Sequence, residues 1–422
     1  MEFFKNKNHI FLFACSAIFL CAIIFVTTAK YQYVTRAISS KEYIRDTIAL
    51  SDTHATQPLP AQEPQKPLEN PPEIIRAVYV TGWSAGSKNY LAYLQNLFAT
   101  TKINSVVIDL KDYSGMVSYK TAAAKVKEYG AYYPVIGDIN GLVNNLHRQG
   151  IYVIGRLVVF EDSALAKHRP DLAIYDTSKT QDVLHPVLWQ DHSKLSWMDP
   201  AAEEVWDYNI DIAKDAISRG FDEINFDYIR FPSDGQIAAM GFPVWDKKTP
   251  RNIIIKNFFQ KLRDALPDAK LSVDIFGQTT TNTDDMGIGQ IFEDALSYFD
   301  YVSPMVYPSH YAHGFLGHKN PAEYPYQIVA YAINGAVARQ KVYAKVNGAL
   351  KIPGIDTAAK VAAIRPWLQD FDLGAIYDKD MVIKEIQAVM DAAKEDFKGF
   401  MLWNSSNIYT KEALAKEAVV PK

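Results

Sequence analysis

Gly220–Phe221–Asp222–Glu223–Ile224–Asn225–Phe226–Asp227–Tyr228–Ile229–Arg230–Phe231–Pro232 is the stretch whose reading decides the fold. Strand side chains alternate between two faces, so Phe221, Ile224, Phe226 and Tyr228 make an apolar side against Glu223, Asn225 and Asp227. Three polar groups in register on an aromatic-rich strand are costly to bury unless they pair or do chemistry. The pattern predicts a catalytic strand of an α/β barrel, with Asp227 last and nearest the mouth.

Seven further short β-branched or apolar runs accompany it: Ile75–Thr81, Asn104–Leu110, Ile151–Phe160, Lys270–Phe276, Asp300–Tyr307, Ala363–Gln369 and Gly399–Trp403. Helical patterns alternate with them, over Tyr90–Thr100, Ile136–Gln149, Ala201–Ser218, Ile253–Leu266, Ile288–Phe299, Ala322–Arg339 and Met381–Lys394. Strand and helix in alternation predict βα units on a parallel sheet. Eight units across residues 73–422 match a (β/α)8 TIM barrel with inserted loops. A doubly wound open sheet is the alternative, but Thr81–Gly82–Trp83–Ser84–Ala85–Gly86 after the first strand has no G-x-G-x-x-G phosphate loop. Lys341–Val346 competes with Ala363–Gln369 for the seventh strand. Two insertions stand out. Glu161–Pro200 follows the third strand, in a position and of a length that suggest function, and Val342–Asp356 leads toward the bottom of the barrel.

The 422 residues carry a net charge of −4 with no Lys/Arg cluster, which argues against a nucleic-acid partner. Both cysteines, Cys15 and Cys21, lie in the apolar run Ile10–Val26, so the folded part has neither disulfides nor thiolate metal sites. Lys5 and Lys7 precede that run and Thr27–Thr28–Ala29 follows it. Residues 1–30 therefore read as a signal anchor that tethers the protein to a membrane, or as a signal peptide cleaved near Ala29. Residues 31–72 form a juxtamembrane segment and linker, and Ser51–Pro72 within it holds six prolines. The expectation is a domain held outside the membrane, in the periplasm or extracellular space, or secreted.

On a barrel, active-site groups come from the ends of the strands. Those ends supply Trp83; Asp109, Lys111 and Asp112; Glu161 and Asp162; Asp227 and Arg230; Asp274; Tyr307 and His310; Gln369 and Asp370; and Trp403 with Asn404. No serine sits in a G-x-S-x-G turn. Carboxylates beside aromatic platforms suit glycosidic bond cleavage, in which one acid protonates the leaving oxygen and a second carboxylate attacks or activates water.

The chain resembles a bacterial family of glycosyl hydrolase domains placed among the amylase-like barrels. The resemblance spans roughly residues 75–410. It rests on Phe221–Pro232, on Asp300–Tyr301–Val302–Ser303–Pro304–Met305–Val306–Tyr307–Pro308–Ser309–His310–Tyr311, on Arg365–Pro366–Trp367–Leu368–Gln369–Asp370–Phe371 and on Met401–Leu402–Trp403–Asn404. Amylase-like retaining enzymes keep the nucleophile at the end of strand four and the acid/base at the end of strand five. The resemblance therefore implies Asp227 as nucleophile and Asp274 as acid/base, with Glu161 or Asp109 as alternative acids. It departs from that pattern where Asn225 replaces an arginine and where Asp274 replaces a glutamate.

Substrate contacts are expected from Trp83, Asp109, Arg230, Tyr307, His310, Gln369, Trp403 and Asn404, while Trp206 and Trp367 are expected in the core. Glu223, deeper in the strand, reads as a paired interior carboxylate. Asp109 could equally form an ion pair with Lys111, and Asp227 could pair with Arg230 or Lys111. His310, His313 and His318 lack interleaved carboxylates, so no metal or other cofactor is expected. The expected function is hydrolysis of a cell-envelope or extracellular polysaccharide. A non-catalytic polysaccharide-binding protein with a degenerate cleft is the alternative from another class, and a metal-dependent deacetylase on the histidine loop is a third.

Overall fold

A computed structural model describes residues 64–349 and 361–416. Its centre is a closed barrel of eight parallel strands: β1 (Ile75–Val80), β2 (Ser105–Lys111), β3 (Tyr152–Val158), β4 (Glu223–Asp227), β5 (Leu271–Phe276), β6 (Tyr301–Met305), β7 (Trp367–Gln369) and β8 (Gly399–Trp403). Each pairs with its sequence neighbours, and β8 returns to β1 to close the ring. That closure needs Gly399, whose φ is +106° and whose Cβ, were there one, would lie 1.7 Å from the carbonyl oxygen of Ile75. The expected barrel is thus present, and each of the eight expected strand segments holds one barrel strand, with β2 running one residue past the expected Leu110.

Helices ring the outside: α1 (Lys88–Thr100), α2 (Ile139–Arg148), α3 (Glu203–Ser218), α4 (Arg251–Ala265), α5 (Phe292–Tyr298), α6 (Pro325–Ala349) and α7 (Lys379–Ala393). α2 shows the local logic. Asp138 caps it by accepting from the Gly141 backbone N–H at 2.8 Å, and Ile139, Leu142, Val143 and Leu146 form one buried stripe. The outward strand residues Ile224 and Phe226 join the same large apolar cluster between barrel and helices.

Several local expectations change. α6 runs on through Lys341–Val346, so that segment is helix, and the expected helix ends ten residues later than Arg339. The seventh strand is split, because Arg365–Pro366 separates the short pairing of Ala363–Ile364 with β6 from β7 proper. A proline has no N–H to donate to a ladder, which accounts for the break. The insertion Glu161–Pro200 is packed rather than structureless. It carries a helix at Ser163–His168 and a strand at Tyr175–Asp176, and it buries Trp189 and Trp197 completely. Between β2 and α2 an added pair, Val117–Tyr119 and Tyr132–Ile136, extends the sheet outside the barrel.

Residues from Pro64 onward lie against the barrel. The Leu68 backbone N–H donates to Asp222 at 2.5 Å, and Gln65 bridges to Arg219. Residues 1–63, which include the apolar run Ile10–Val26 and most of the expected linker, lie outside the described residues. Among the described residues no helix is long and apolar enough to cross a membrane.

Candidate active site

Residues of alternate parity on the strands point into the barrel, and they are unusually polar. The floor is a buried ion pair between strands that are not neighbours. Arg365, just before β7, donates to both carboxylate oxygens of Glu223 on β4, at 3.1 Å to Oε2 and closer to Oε1. Ser272 donates to the same carboxylate at 2.5 Å and Tyr152 at 3.2 Å. Such a pair can form only through the barrel interior. Glu223 is therefore the interior, paired carboxylate that its depth in the strand suggested.

One layer higher, Asn225 donates to Ser272 at 3.0 Å and to Oδ1 of Asp274 at 2.8 Å. The indole N–H of Trp367 donates to the same Oδ1 at 2.8 Å. Oδ2 of Asp274 is buried and has no hydrogen-bond partner. Burial, reinforced by the nearby charge of Asp227, holds the Asp274 carboxyl well above the usual carboxylate range. Its proton is therefore held more tightly than on an ordinary carboxyl.

At the mouth, Asp227 ends β4. Its Oδ2 accepts from Nη2 and Nε of Arg156 at 2.6 and 3.1 Å, and its Oδ1 accepts from the Tyr228 backbone N–H at 2.6 Å. The chain turns sharply here, since Tyr228 sits at φ +54°, a left-handed conformation that a bulky residue rarely adopts. Arg156 also donates to Asp109 at 2.6 Å, and the Tyr79 hydroxyl closes on the other oxygen of Asp109. Trp403 stacks on Tyr79 with ring centroids 3.9 Å apart, and the Arg156 guanidinium lies 5.1 Å from the Trp403 ring.

These groups open into a cavity of about 430 Å³ lined by Arg156, Asp227, Tyr228, Arg230, Asp274, Phe276, Gly277, Gln278, Met305, Tyr307, His310, Tyr311, Trp367 and Trp403. Of the residues singled out in sequence, Asp227, Asp274, Arg230, Tyr307, His310 and Trp403 meet there. The others lie elsewhere. Asp109 is buried behind Arg156. Glu161 is buried beside Asp191 and outside the lining, and burial followed by that neighbour pushes it up to about 9. Gln369 is fully buried, accepting from the Ser309 hydroxyl at 2.8 Å and donating to the Phe371 carbonyl at 2.9 Å, so it braces the loop that carries His310. Asn404 donates to the carbonyls of Asp370 and Ile408 and shapes the turn after β8. Trp83 is 61% exposed, against Tyr133 and away from the cavity.

Two pairings differ from expectation, and Trp367 does more than pack. Asp227 pairs with neither Arg230 nor Lys111 but with Arg156. Lys111 pairs with Asp162 at 2.6 Å, because a register shift after Asp109 separates the two residues that strict alternation would have put on one face. Trp367 is buried, yet it lines the cavity and holds Asp274. Arg156 is the residue the sequence reading missed. It supplies from the neighbouring strand the guanidinium that an arginine at position 225 would have brought, and its only signal was a lone charge within Tyr152–Val158. Among the described residues no group of three or more His, Cys, Asp or Glu side chains is placed to hold a metal ion.

Residues 77–409 match the model of a family described as "Putative glycosyl hydrolase domain". No curated protein matches the sequence. Among solved structures, a hypothetical protein from Ruminiclostridium thermocellum shares 36% identity over 47% of this chain and 96% of its own, with a TM-score of 0.42. The PgaB (BpsB) glycoside hydrolase domain from Bordetella bronchiseptica is 14% identical over 81% of this chain and 99% of its own, with a TM-score of 0.52, which is a likeness of fold. An alpha-galactosidase from Thermus thermophilus aligns at 13% identity over 83% of this chain and 61% of its own, with a TM-score of 0.46.

Proposed function

The chain belongs to this glycosyl hydrolase domain family, and from that premise we propose that it is a retaining glycoside hydrolase in which Asp227 is the nucleophile and Asp274 the acid/base. The observation that carries the proposal is the contrast between two carboxyl groups in one cavity. Asp227 is held by a guanidinium and a backbone N–H, as an anion would be, whereas Asp274 is buried, holds its proton more tightly than an ordinary carboxyl and has an unpartnered Oδ2. Environments that push two carboxyls apart in acidity are how a site assigns acid and nucleophile.

Register supports the retaining geometry. Phe226 pairs with Val273, so Asp227 and Asp274 occupy the next inward positions of neighbouring strands. Adjacent strands lie about 4.8 Å apart, so the two side chains rise from neighbouring backbone positions, consistent with the close pairing, roughly 5–5.5 Å between carboxyls, that retaining enzymes use. In the first step the Asp274 proton passes to the glycosidic oxygen while an Asp227 oxygen bonds the anomeric carbon and the aglycone leaves. In the second, Asp274 takes a proton from water, the water oxygen displaces Asp227, and both carboxyls return to their starting states. Arg156 keeps Asp227 oriented throughout, and Trp403 offers a flat apolar surface to a sugar ring.

The apolar run and proline-rich segment before the domain support an enzyme exported or tethered at the membrane, with a cell-envelope or extracellular polysaccharide as substrate. The test is incubation with a panel of bacterial surface polysaccharides, with products read by mass spectrometry, for wild type and Asp227→Asn. Wild type should release shorter glycans, and the variant should be slower by a factor on the order of 10³ or more with its fold intact. An equally active variant would remove Asp227 from the chemistry. Saturable binding without any product would favour a binding protein.

A further inference from the structure

Four cations are buried among the described residues: Lys111, Arg156, Arg230 and Arg365. Three are matched to carboxylates within 4 Å. Lys111 holds Asp162, Arg156 holds Asp109 and Asp227, and Arg365 holds Glu223. Arg230 makes no ion pair among the described residues. Burying a guanidinium without a paired carboxylate is expensive, and an anion brought by a ligand would offset that cost.

The placement of Arg230 suits that role. It follows Asp227 by three residues and lines the same cavity. Its plane is held by aromatic rings, with the guanidinium carbon 4.8 Å from the centroids of both Trp197 and Phe276 and 5.3 Å from that of Tyr228. Only Nη1 is engaged, donating to the Phe231 carbonyl at 3.1 Å and to the Ser233 hydroxyl at 3.2 Å. Nε and Nη2 donate to no described residue. These two nitrogens form the edge that grips a carboxylate through two parallel hydrogen bonds. Of the carboxyls near it, Glu161 is pushed up to about 9 by burial and by Asp191, while Asp227 and Asp234 act on the guanidinium without forming an ion pair with it.

We propose that Arg230 is a specificity residue that binds the carboxylate of an acidic sugar, so that the glycan cleaved here contains uronic acid. This rests on the cavity being a glycan site, and it concerns which sugar that site prefers. A planar, pre-oriented fork at the mouth of the cavity would favour a uronate over the corresponding neutral hexose, whose hydroxymethyl group cannot accept two charge-assisted bonds.

The experiment separates this inference from the catalytic reading by measuring binding. Full-length Asp227→Asn is titrated calorimetrically with oligoglucuronates and oligogalacturonates, each against its carboxyl-reduced neutral counterpart, and the series is repeated in an Asp227→Asn/Arg230→Gln background. The acidic member of at least one pair should bind about 10- to 100-fold more tightly than its reduced partner, and Arg230→Gln should bring that ratio near one. Arg230→Lys, which keeps the charge but loses the fork, should recover only part of it. No advantage for the acidic member in either pair, or an advantage that survives Arg230→Gln, overturns the inference. Acid-selective binding without turnover by the wild-type enzyme would leave it standing and remove the catalytic reading instead.

Discussion

At the scale of single residues, the account turns on Asp274 being neutral when the substrate arrives. Its carboxyl is raised by burial first and by Asp227 second. Activity must therefore fall as pH rises through that raised pKa, where the proton to be donated is lost. Asp274→Asn should remove this basic limb and lower kcat on natural glycans by about 10²–10⁴-fold, with a smaller loss on substrates whose leaving group needs no proton. A pH–rate profile of the variant that keeps the wild-type basic limb would contradict the assignment. Asp227 could be found in the sequence because it ends a strand on its polar face, and Asp274 because it lies near the end of the next strand, where the family resemblance puts an acid. Arg156 could not, since a single arginine in an apolar strand looks the same whether it faces a carboxylate on the neighbouring strand or solvent. Trp367 lies in the core as expected, but nothing in the sequence showed that its N–H is aimed at the acid.

At the scale of elements, the insertion after β3 and the break before β7 are the informative parts. Glu161 opens the insertion and has a folded-state pKa of about 9, raised by burial and by Asp191, against about 4.3 in an unfolded chain. The folded state thus holds the proton more tightly, and the stability this contributes is lost as pH rises through about 9. The midpoint of thermal unfolding should decline between pH 7 and 9 in the wild type, and Glu161→Gln should flatten the decline. An identical slope in both would refute the buried neutral acid. The split seventh strand carries Arg365 to the barrel floor. Arg365→Met strands the Glu223 charge and should cost about 3–5 kcal/mol in urea unfolding, with part recovered in Arg365→Met/Glu223→Gln. A loss within about 0.5 kcal/mol, typical of surface substitutions, would show that the pair does not hold the floor together. Pro366 announced the break in sequence, but nothing local announced that the arginine beside it reaches Glu223, 142 positions away.

At the scale of the whole molecule, the barrel was readable because alternation of strand and helix is a local property that repeats. Eight strand patterns survive errors at their edges, such as β2 running one residue past its expected end, because ring closure depends on strand number and direction. What the chain does not display locally is which inward groups meet. The pairs Arg156–Asp227, Trp367–Asp274 and Arg365–Glu223 join residues 71, 93 and 142 positions apart. The site is therefore a property of closure, and Asp109, Gln369 and Asn404, which share its residue types, serve it from behind as braces.

The most direct measurement is covalent capture of the nucleophile. The protein is treated with a panel of epoxide- and aziridine-based inactivators of retaining glycosidases, including uronic-acid configured members, and the labelled peptide is identified by mass spectrometry. The account predicts one adduct, on Asp227, that does not form in Asp227→Asn. An adduct on Glu161, Asp109 or Asp274 instead would contradict it.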